Sequence, residues 1–304
     1  MVCSTRNFLY RLMAKILLIG SSGQLGQEVQ KLLEFKGEDY ISCDRGSLNL
    51  SNISLIESYI YNVQPDIVIN CSAYTAVDRA EEEVEQAFLI NHLVVEAIAK
   101  ATKQIGSYLI HISTDYVFDG QNYLPYSEED LTNPRSTYGK SKLAGEQAII
   151  KQTDKYIIVR TAWVYGIYGK GNFVKTMLKL GQARENLGIV SDQIGSPTWT
   201  KDLAMALLQI CKQLSQENSG IYHFTNSGVC SWYDFASAIF MESKSLGYPL
   251  KLTQLKPITT SEYPTPAQRP HYSVLSTKKI SNLLGEYPPH WHQSLRLMLE
   301  KYLK

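Results

Sequence analysis

Tyr138 and Lys142 stand four residues apart in YGKSK, so on a helix they share one face and their heads can meet a single substrate. An unperturbed phenol titrates near about 10 and parts with its proton poorly at neutral pH unless a nearby cation steadies the phenolate. Lys142 is the cation that this spacing offers. By itself the pair is no more than two residues on a helix surface. It gains meaning from STDYVF at 113–118, which follows an apolar run ending at Ile112. Ser113, Thr114 and Asp115 are thereby expected at the carboxyl end of a strand, the edge where open α/β sheets bind ligands. A hydroxyl such as Thr114 can hydrogen-bond an oxygen on which charge develops. Thr114, Tyr138 and Lys142 together describe a site for reducing a carbonyl group.

Such chemistry needs a hydride donor, and GSSGQLG at 20–26 supplies a place for one. Gly20, Gly23 and Gly26 fall between the first apolar run and the first amphipathic stretch, where missing Cβ atoms permit a tight turn and close approach of a pyrophosphate. The amides that open the following helix would face the phosphates. About twenty residues on, Asp44 ends the second strand, where a carboxylate accepts hydrogen bonds from ribose hydroxyls and favours NADH. Its neighbour Arg45 could pair with a 2′-phosphate, so NADPH stays equally open.

The elements that must hold these residues alternate along the chain. Short apolar runs at 14–20, 39–43, 66–70, 107–112 and 156–159 are separated by helical patterns at 25–33, 53–61, 138–150 and one long helix within 81–103. This predicts a doubly wound parallel α/β sheet of Rossmann type, residues 1–185 forming the NAD(P)-binding domain. From 186 to 304 the rhythm loosens among prolines and aromatics. This part reads as a smaller substrate-binding region, some of whose segments return to the first domain. Residues 1–13 read as a leader or frayed end, with Met1 and Met13 both open as the start; their apolar piece is too short for a signal peptide or a membrane span.

Bulk properties agree with a small-molecule enzyme. Net charge is +1 with 19% charged residues, which argues against a nucleic-acid partner. The five cysteines are scattered and lack a CxxC pair, which argues against disulfides or a thiolate zinc site and for a reducing cytoplasm. His290 and His292 would face together only on a strand and do not make a metal motif.

Six segments carry a resemblance that runs nearly end to end: GSSGQLG (20–26), DIVINCSAYTAVDRAE (66–81), STDYVFDG (113–120), YGKSKLAGE (138–146), RTAWVYG (160–166) and PTPAQRPHYS (264–273). Through them the chain resembles the extended short-chain dehydrogenase/reductases, and among these the dTDP-4-dehydrorhamnose reductases. The last segment is the most specific. The resemblance implies NADPH- or NADH-dependent reduction of the 4-keto group of dTDP-4-dehydro-β-L-rhamnose to dTDP-L-rhamnose, for surface polysaccharide. It implies Thr114, Tyr138 and Lys142 as the catalytic set. Gly23, Gln24, Leu25, Asp44, Ala73, Tyr74 and Thr75 become cofactor contacts, with Tyr138 and Lys142 beside them, and Asp115 and Trp163 become substrate contacts. Arg269 offers a guanidinium for a nucleotide diphosphate.

Two departures accompany it. Asn49, Leu50 and Ser51 stand where relatives carry an acidic residue before the leucine; asparagine keeps a carbonyl acceptor for an adenine amino group. The resemblance also admits magnesium at a homodimer interface through glutamates, for which Glu28 is the matching position, although no full ligand cluster is legible. A nucleotide-sugar epimerase or dehydratase keeps the same tyrosine, lysine and glycine loop, but STDYVF lacks the Asp-Glu pair of a dehydratase. A non-catalytic NADP-binding subunit, like the regulatory subunit of methionine adenosyltransferase, is the other alternative, opposed by the intact threonine, tyrosine and lysine.

Overall fold

The computed structural model describes residues 14–304; the expected leader at 1–13 lies outside the described residues. The first half alternates β1 (Ile16–Ile19), α1 (Gln24–Lys36), β2 (Tyr40–Cys43), α2 (Ile53–Val63), β3 (Ile67–Asn70), α3 (Val84–Phe88), α4 (Val94–Ile105), β4 (Tyr108–Thr114), α5 (Thr137–Gln152) and β5 (Tyr156–Thr161). Then follow β6 (Val164–Tyr165), α6 (Phe173–Ala183), β7 (Asn186–Val190), β8 (Ile194–Gly195), β9 (Thr198–Trp199), α7 (Thr200–Cys211) and β10 (Gly220–His223). The chain ends with β11 (Cys230–Ser231), α8 (Trp232–Ser245), β12 (Gln254–Ile258), α9 (Lys278–Leu284) and α10 (Trp291–Leu303).

Six strands form one parallel sheet in the order β10-β5-β4-β3-β1-β2. The continuous apolar runs are explained by cover on both faces. Along β1, Ile16 and Leu18 join Val29 and Leu33 of α1 and Leu203 and Leu207 of α7, whereas Leu17 and Ile19 join Ile56 of α2, Val94 and Ile98 of α4 and Ile149 of α5. Successive side chains point to opposite faces, so one four-residue strand feeds two cores. Strand order reverses beside β1, which is flanked by β2 and β3, and the crevice at their carboxyl ends is the ligand position of such sheets.

The single long helix expected within 81–103 is broken. A 3₁₀ turn (Arg79–Glu81) precedes α3, and a π-helical turn (Leu89–Leu93) separates α3 from α4. The wider turn leaves the apolar rhythm nearly unchanged but turns Asn91 into the protein interior, where it is fully buried.

A second core gathers Tyr165, Met177 of α6, Leu187 of β7, Phe235 and Ile239 of α8, and Leu295 and Met298 of α10. Packing does not divide at residue 186: α6 lies before it yet belongs to this second core, while α7, β10 and α9 lie after it and cover or extend the sheet. Among the described residues no helix is long and apolar enough to cross a membrane.

Candidate active site

The glycine loop leaves β1 at Gly20, whose φ of +83° suits glycine. A Cβ there would lie 2.7 Å from Ser72 N, and one at Gly26 only 2.2 Å from Gly20 O. The loop from β1, the loop from β3 and the first turn of α1 therefore meet backbone to backbone. Gly23 is the N-cap of α1 and offers no side-chain cap, so the opening amides keep their attraction for an anion. Gln24 ties this loop to the second region, donating to Val164 O (3.2 Å) and accepting from Asn172 Nδ2 (3.4 Å). Leu25 packs its side chain into the sheet core, so only its backbone faces the crevice side of the loop.

At the end of β2, Asp44 Oδ1 accepts from the Gly46 and Ser47 amides (2.9 and 3.1 Å), and these bonds hold its carboxyl below the usual range. Arg45 beside it is exposed. Asn49 Oδ1 accepts from Ser51 N (3.0 Å), so the acceptor expected for adenine is engaged by its own turn, and Leu50 packs against the sheet core. After β3, Ala73 and Thr75 flank Tyr74, whose ring is buried with Ala80 and Ala87 and whose hydroxyl donates to Glu83 Oε2. Asn91 clamps the Tyr74 backbone from both sides, accepting from its N–H (2.8 Å) and donating to its carbonyl (3.1 Å).

Thr114 ends β4 and Tyr138 stands on the first turn of α5, near enough for the threonine hydroxyl to favour the phenolate. Thr114 Oγ1 also donates to Asp115 Oδ1 (3.0 Å) and accepts from Tyr116 N (3.2 Å). Burial pushes the Asp115 carboxyl up to about 6, opposed by the Ser273 and Thr114 hydroxyls. Tyr116 meets the Tyr138 ring edge to face at 5.5 Å.

Burial pushes the Tyr138 phenol up to about 12, with the Thr114 hydroxyl opposing and the Asp115 charge adding. The i,i+4 geometry is present, but the lysine head is turned under the sheet edge. Lys142 Nζ donates to Ile112 O (2.6 Å) and sits 3.1 Å from His111 Nε2, and burial draws the amine down to about 8. Free of cofactor, the site holds a protonated tyrosine.

The substrate side is closed by the late segment. A Cβ at Gly120 would meet Pro270 Cβ at 2.5 Å, so the two loops are in close contact. Arg269 is not a free clamp for diphosphate: its Nη1 and Nη2 donate to both oxygens of Asp78 (2.9 and 2.7 Å), latching this segment to the loop after β3. Trp163 has a left-handed backbone, φ +49°, a conformation costing on the order of 1–3 kcal/mol in a non-glycine residue. Its indole stacks on Trp232 at 3.5 Å and covers Gly195, where a Cβ would lie 2.6 Å from the ring.

Glu28, the matching position for magnesium, is buried with Oε1 unpartnered, and burial raises its carboxyl against the pull of Lys301 and Lys201. No group of three or more His, Cys, Asp or Glu among the described residues is placed to hold a metal, so within one chain Glu28 has no co-ligands for magnesium.

Sequence reasoning passed over Asn91, His111 and a buried pair below the site. Arg160 Nε and Nη2 bond Glu146 (3.0 and 2.7 Å), and Ser113 Oγ donates to the same carboxylate. Glu146 lies two turns beyond Tyr138 on α5, so its place in YGKSKLAGE was the available signal.

A family model described as the RmlD substrate binding domain matches residues 14–304. The chain is 44% identical, over 95% of its length and 98% of the relative's, to the spore coat polysaccharide biosynthesis protein SpsK of Bacillus subtilis (strain 168). It is 42% identical to a dTDP-4-dehydrorhamnose reductase of Aggregatibacter actinomycetemcomitans, covering 93% of this chain and 98% of the other. Among solved structures, dTDP-4-dehydrorhamnose reductase from Bacillus anthracis str. Ames, in complex with NADP, superposes with a TM-score of 0.88 at 37% identity, covering 95% of this chain and all of that one.

Proposed function

The chain belongs to the family described as the RmlD substrate binding domain, and from that membership we propose that it reduces the 4-keto group of dTDP-4-dehydro-β-L-rhamnose to give dTDP-L-rhamnose for polysaccharide synthesis. The observation that carries the reading is the grouping of Thr114, Asp115 and Tyr138 at the carboxyl end of β4, on the same sheet edge as the glycine loop after β1.

The residues fit a nicotinamide dinucleotide. Gly20 and Gly26 let the loops after β1 and β3 and the first turn of α1 pack backbone to backbone, and the uncapped amides after Gly23 suit a pyrophosphate. Asp44 suits ribose hydroxyls, exposed Arg45 suits a 2′-phosphate, and the reading keeps both NADPH and NADH as donors. When bound, the nicotinamide supplies a hydride to the carbonyl carbon.

The chain's own residues handle the oxygen. Tyr138, kept protonated by burial, gives its hydroxyl proton to the carbonyl oxygen. Thr114 Oγ1 turns its one proton from Asp115 Oδ1 to that oxygen as charge develops. Asp115, Trp163 and the Arg269 segment shape the sugar-nucleotide side, and Asn91 fixes the Tyr74 backbone in the loop facing the cofactor. Oxidation of NADPH and of NADH, followed with the keto sugar generated in situ, tests this. One equivalent consumed per sugar is expected. A sugar converted with no net oxidation would instead identify an epimerase or dehydratase.

A further inference from the structure

Beneath the candidate active site one buried carboxylate joins a helix to two strands. Glu146 of α5 takes Arg160 of β5 on both oxygens, Oε1 at 3.0 Å from Nε and Oε2 at 2.7 Å from Nη2, and Oε1 also accepts from Ser113 Oγ of β4. Ser113 and Arg160 are register partners on neighbouring strands, and none of the three residues is more than 3% exposed. On its far side the guanidinium approaches His223 of β10, with Nη1 3.5 Å from Nε2, while His223 Nδ1 lies 3.1 Å from Tyr126 O. A carbonyl only accepts and a guanidinium only donates, so the ring is neutral with its proton on Nδ1.

Stability does not account for such a cluster. Desolvating a carboxylate and a guanidinium costs about what their attraction returns, and apolar side chains of the same volume would serve the core as well. Apolar side chains lack the direction of a bidentate pair, which fixes an angle as well as a distance.

The place of the cluster shows what is being directed. Glu146 lies two turns beyond Tyr138, roughly 12 Å along α5, and Ser113 is the residue before Thr114. One turn nearer to Tyr138, Lys142 Nζ donates to Ile112 O at 2.6 Å, one residue before Ser113. α5 is therefore tied to the end of β4 at two successive turns. A helix held by one contact can roll about it, whereas two contacts a turn apart set both its height and its rotation against the strand. Just beyond these ties stand Tyr138 on the first turn of the helix and Thr114 on the last residue of the strand.

We propose that Glu146 is a positioning residue, which acts through Ser113 to set the separation of the Thr114 and Tyr138 hydroxyls, with Arg160 holding its carboxylate in place. On the reductase reading above, on which this consequence rests, the two hydroxyls must meet one carbonyl oxygen together. A slip between strand and helix then slows proton delivery and leaves binding alone.

Glu146 itself is a poor target, because removing it strands the Arg160 charge in the interior. Ser113→Ala cuts only the tie to β4 and leaves the ion pair whole. In the full-length protein it is expected to lower kcat by on the order of 10- to 10²-fold, the effect of a misplacement of up to about 1 Å, with the KM of the keto sugar and the dissociation constant of NADPH within about two-fold of the parent. Thr102→Val, which removes a buried hydroxyl bond to Ala99 O on α4, is the control: it should cost comparable thermal stability and leave kcat unchanged. An unchanged kcat in Ser113→Ala, a loss confined to KM, or an equal loss of kcat in Thr102→Val overturns the proposal. A readout without turnover is the carbon-13 resonance of Tyr138 Cζ in the tyrosine-labelled free protein, assigned through Tyr138→Phe. It should shift in Ser113→Ala and hold in Thr102→Val, and a resonance unmoved in Ser113→Ala also overturns the proposal. If the parent leaves the keto sugar unreduced, the reductase reading falls and that resonance alone decides the positioning role.

Discussion

At the scale of single residues, the site separates the acid from the groups that prepare it. Tyr138 owes its high phenol to burial, which the Thr114 hydroxyl opposes. Tyr138→Phe is therefore expected to keep cofactor affinity and lose on the order of 10²- to 10⁴-fold in kcat, the usual worth of a general acid. Fluorescence titration of the cofactor beside steady-state rates checks both halves. Asp115 makes a different prediction. Its carboxyl titrates at about 6 in the fold against an ordinary 3.8, so the charged form is the one the fold disfavours. Stability is then full below the lower value and is lost as pH rises through the upper one, by roughly 3 kcal/mol. Asp115→Asn should remove that loss: thermal midpoints of variant and parent should coincide near the acid end, diverge in the variant's favour between pH ~4 and ~6, and stay apart above that.

At the scale of elements, the site depends on how closely backbones approach. Gly26→Ala would place a Cβ 2.2 Å from Gly20 O, which the first turn of α1 can accommodate only by moving away from the loop. A displacement of about 1 Å at such a point costs on the order of 10²-fold in kcat/KM, and most of it should appear as weakened cofactor binding. The parallel strands were legible because buried runs such as ILLI and IVIN have few alternatives, and the glycine spacing marked the turn between β1 and α1. The π turn at Leu89–Leu93 was not legible, because one extra residue in a turn barely alters an apolar rhythm. Nor was the buried contact of His111, which in sequence is one polar residue in an apolar strand; its partner Asn70 is set beside it by the register of β3 and β4. Arg269 read as a clamp because its partner Asp78 lies 191 residues away. Lys142 was placed on the right face by spacing, yet spacing says nothing of where a long side chain turns its head.

For the whole molecule, the sheet and the substrate region are interleaved rather than joined in series. α7 covers α1, β10 pairs with β5, and α6 departs to the second core. A fragment ending at residue 185 would lack a strand and a covering helix and expose Leu25, Val29 and Leu33 of α1. It should fail to fold cooperatively, seen as a shallow thermal transition in circular dichroism; a sharp transition would show that the first half is self-sufficient. Interleaving also explains why one late segment closes a site built by the first half: the Asp78–Arg269 latch and the Gly120–Pro270 contact bring 264–273 over the end of β4.

The claim tested most directly is that this site delivers a hydride to one carbon and a proton to its oxygen. Turnover of the keto sugar with NADPH deuterated at the nicotinamide C4 should place deuterium at C4 of the deoxysugar, with one equivalent of cofactor oxidised per product. Product without deuterium at that carbon, or sugar conversion without net oxidation, would contradict the account.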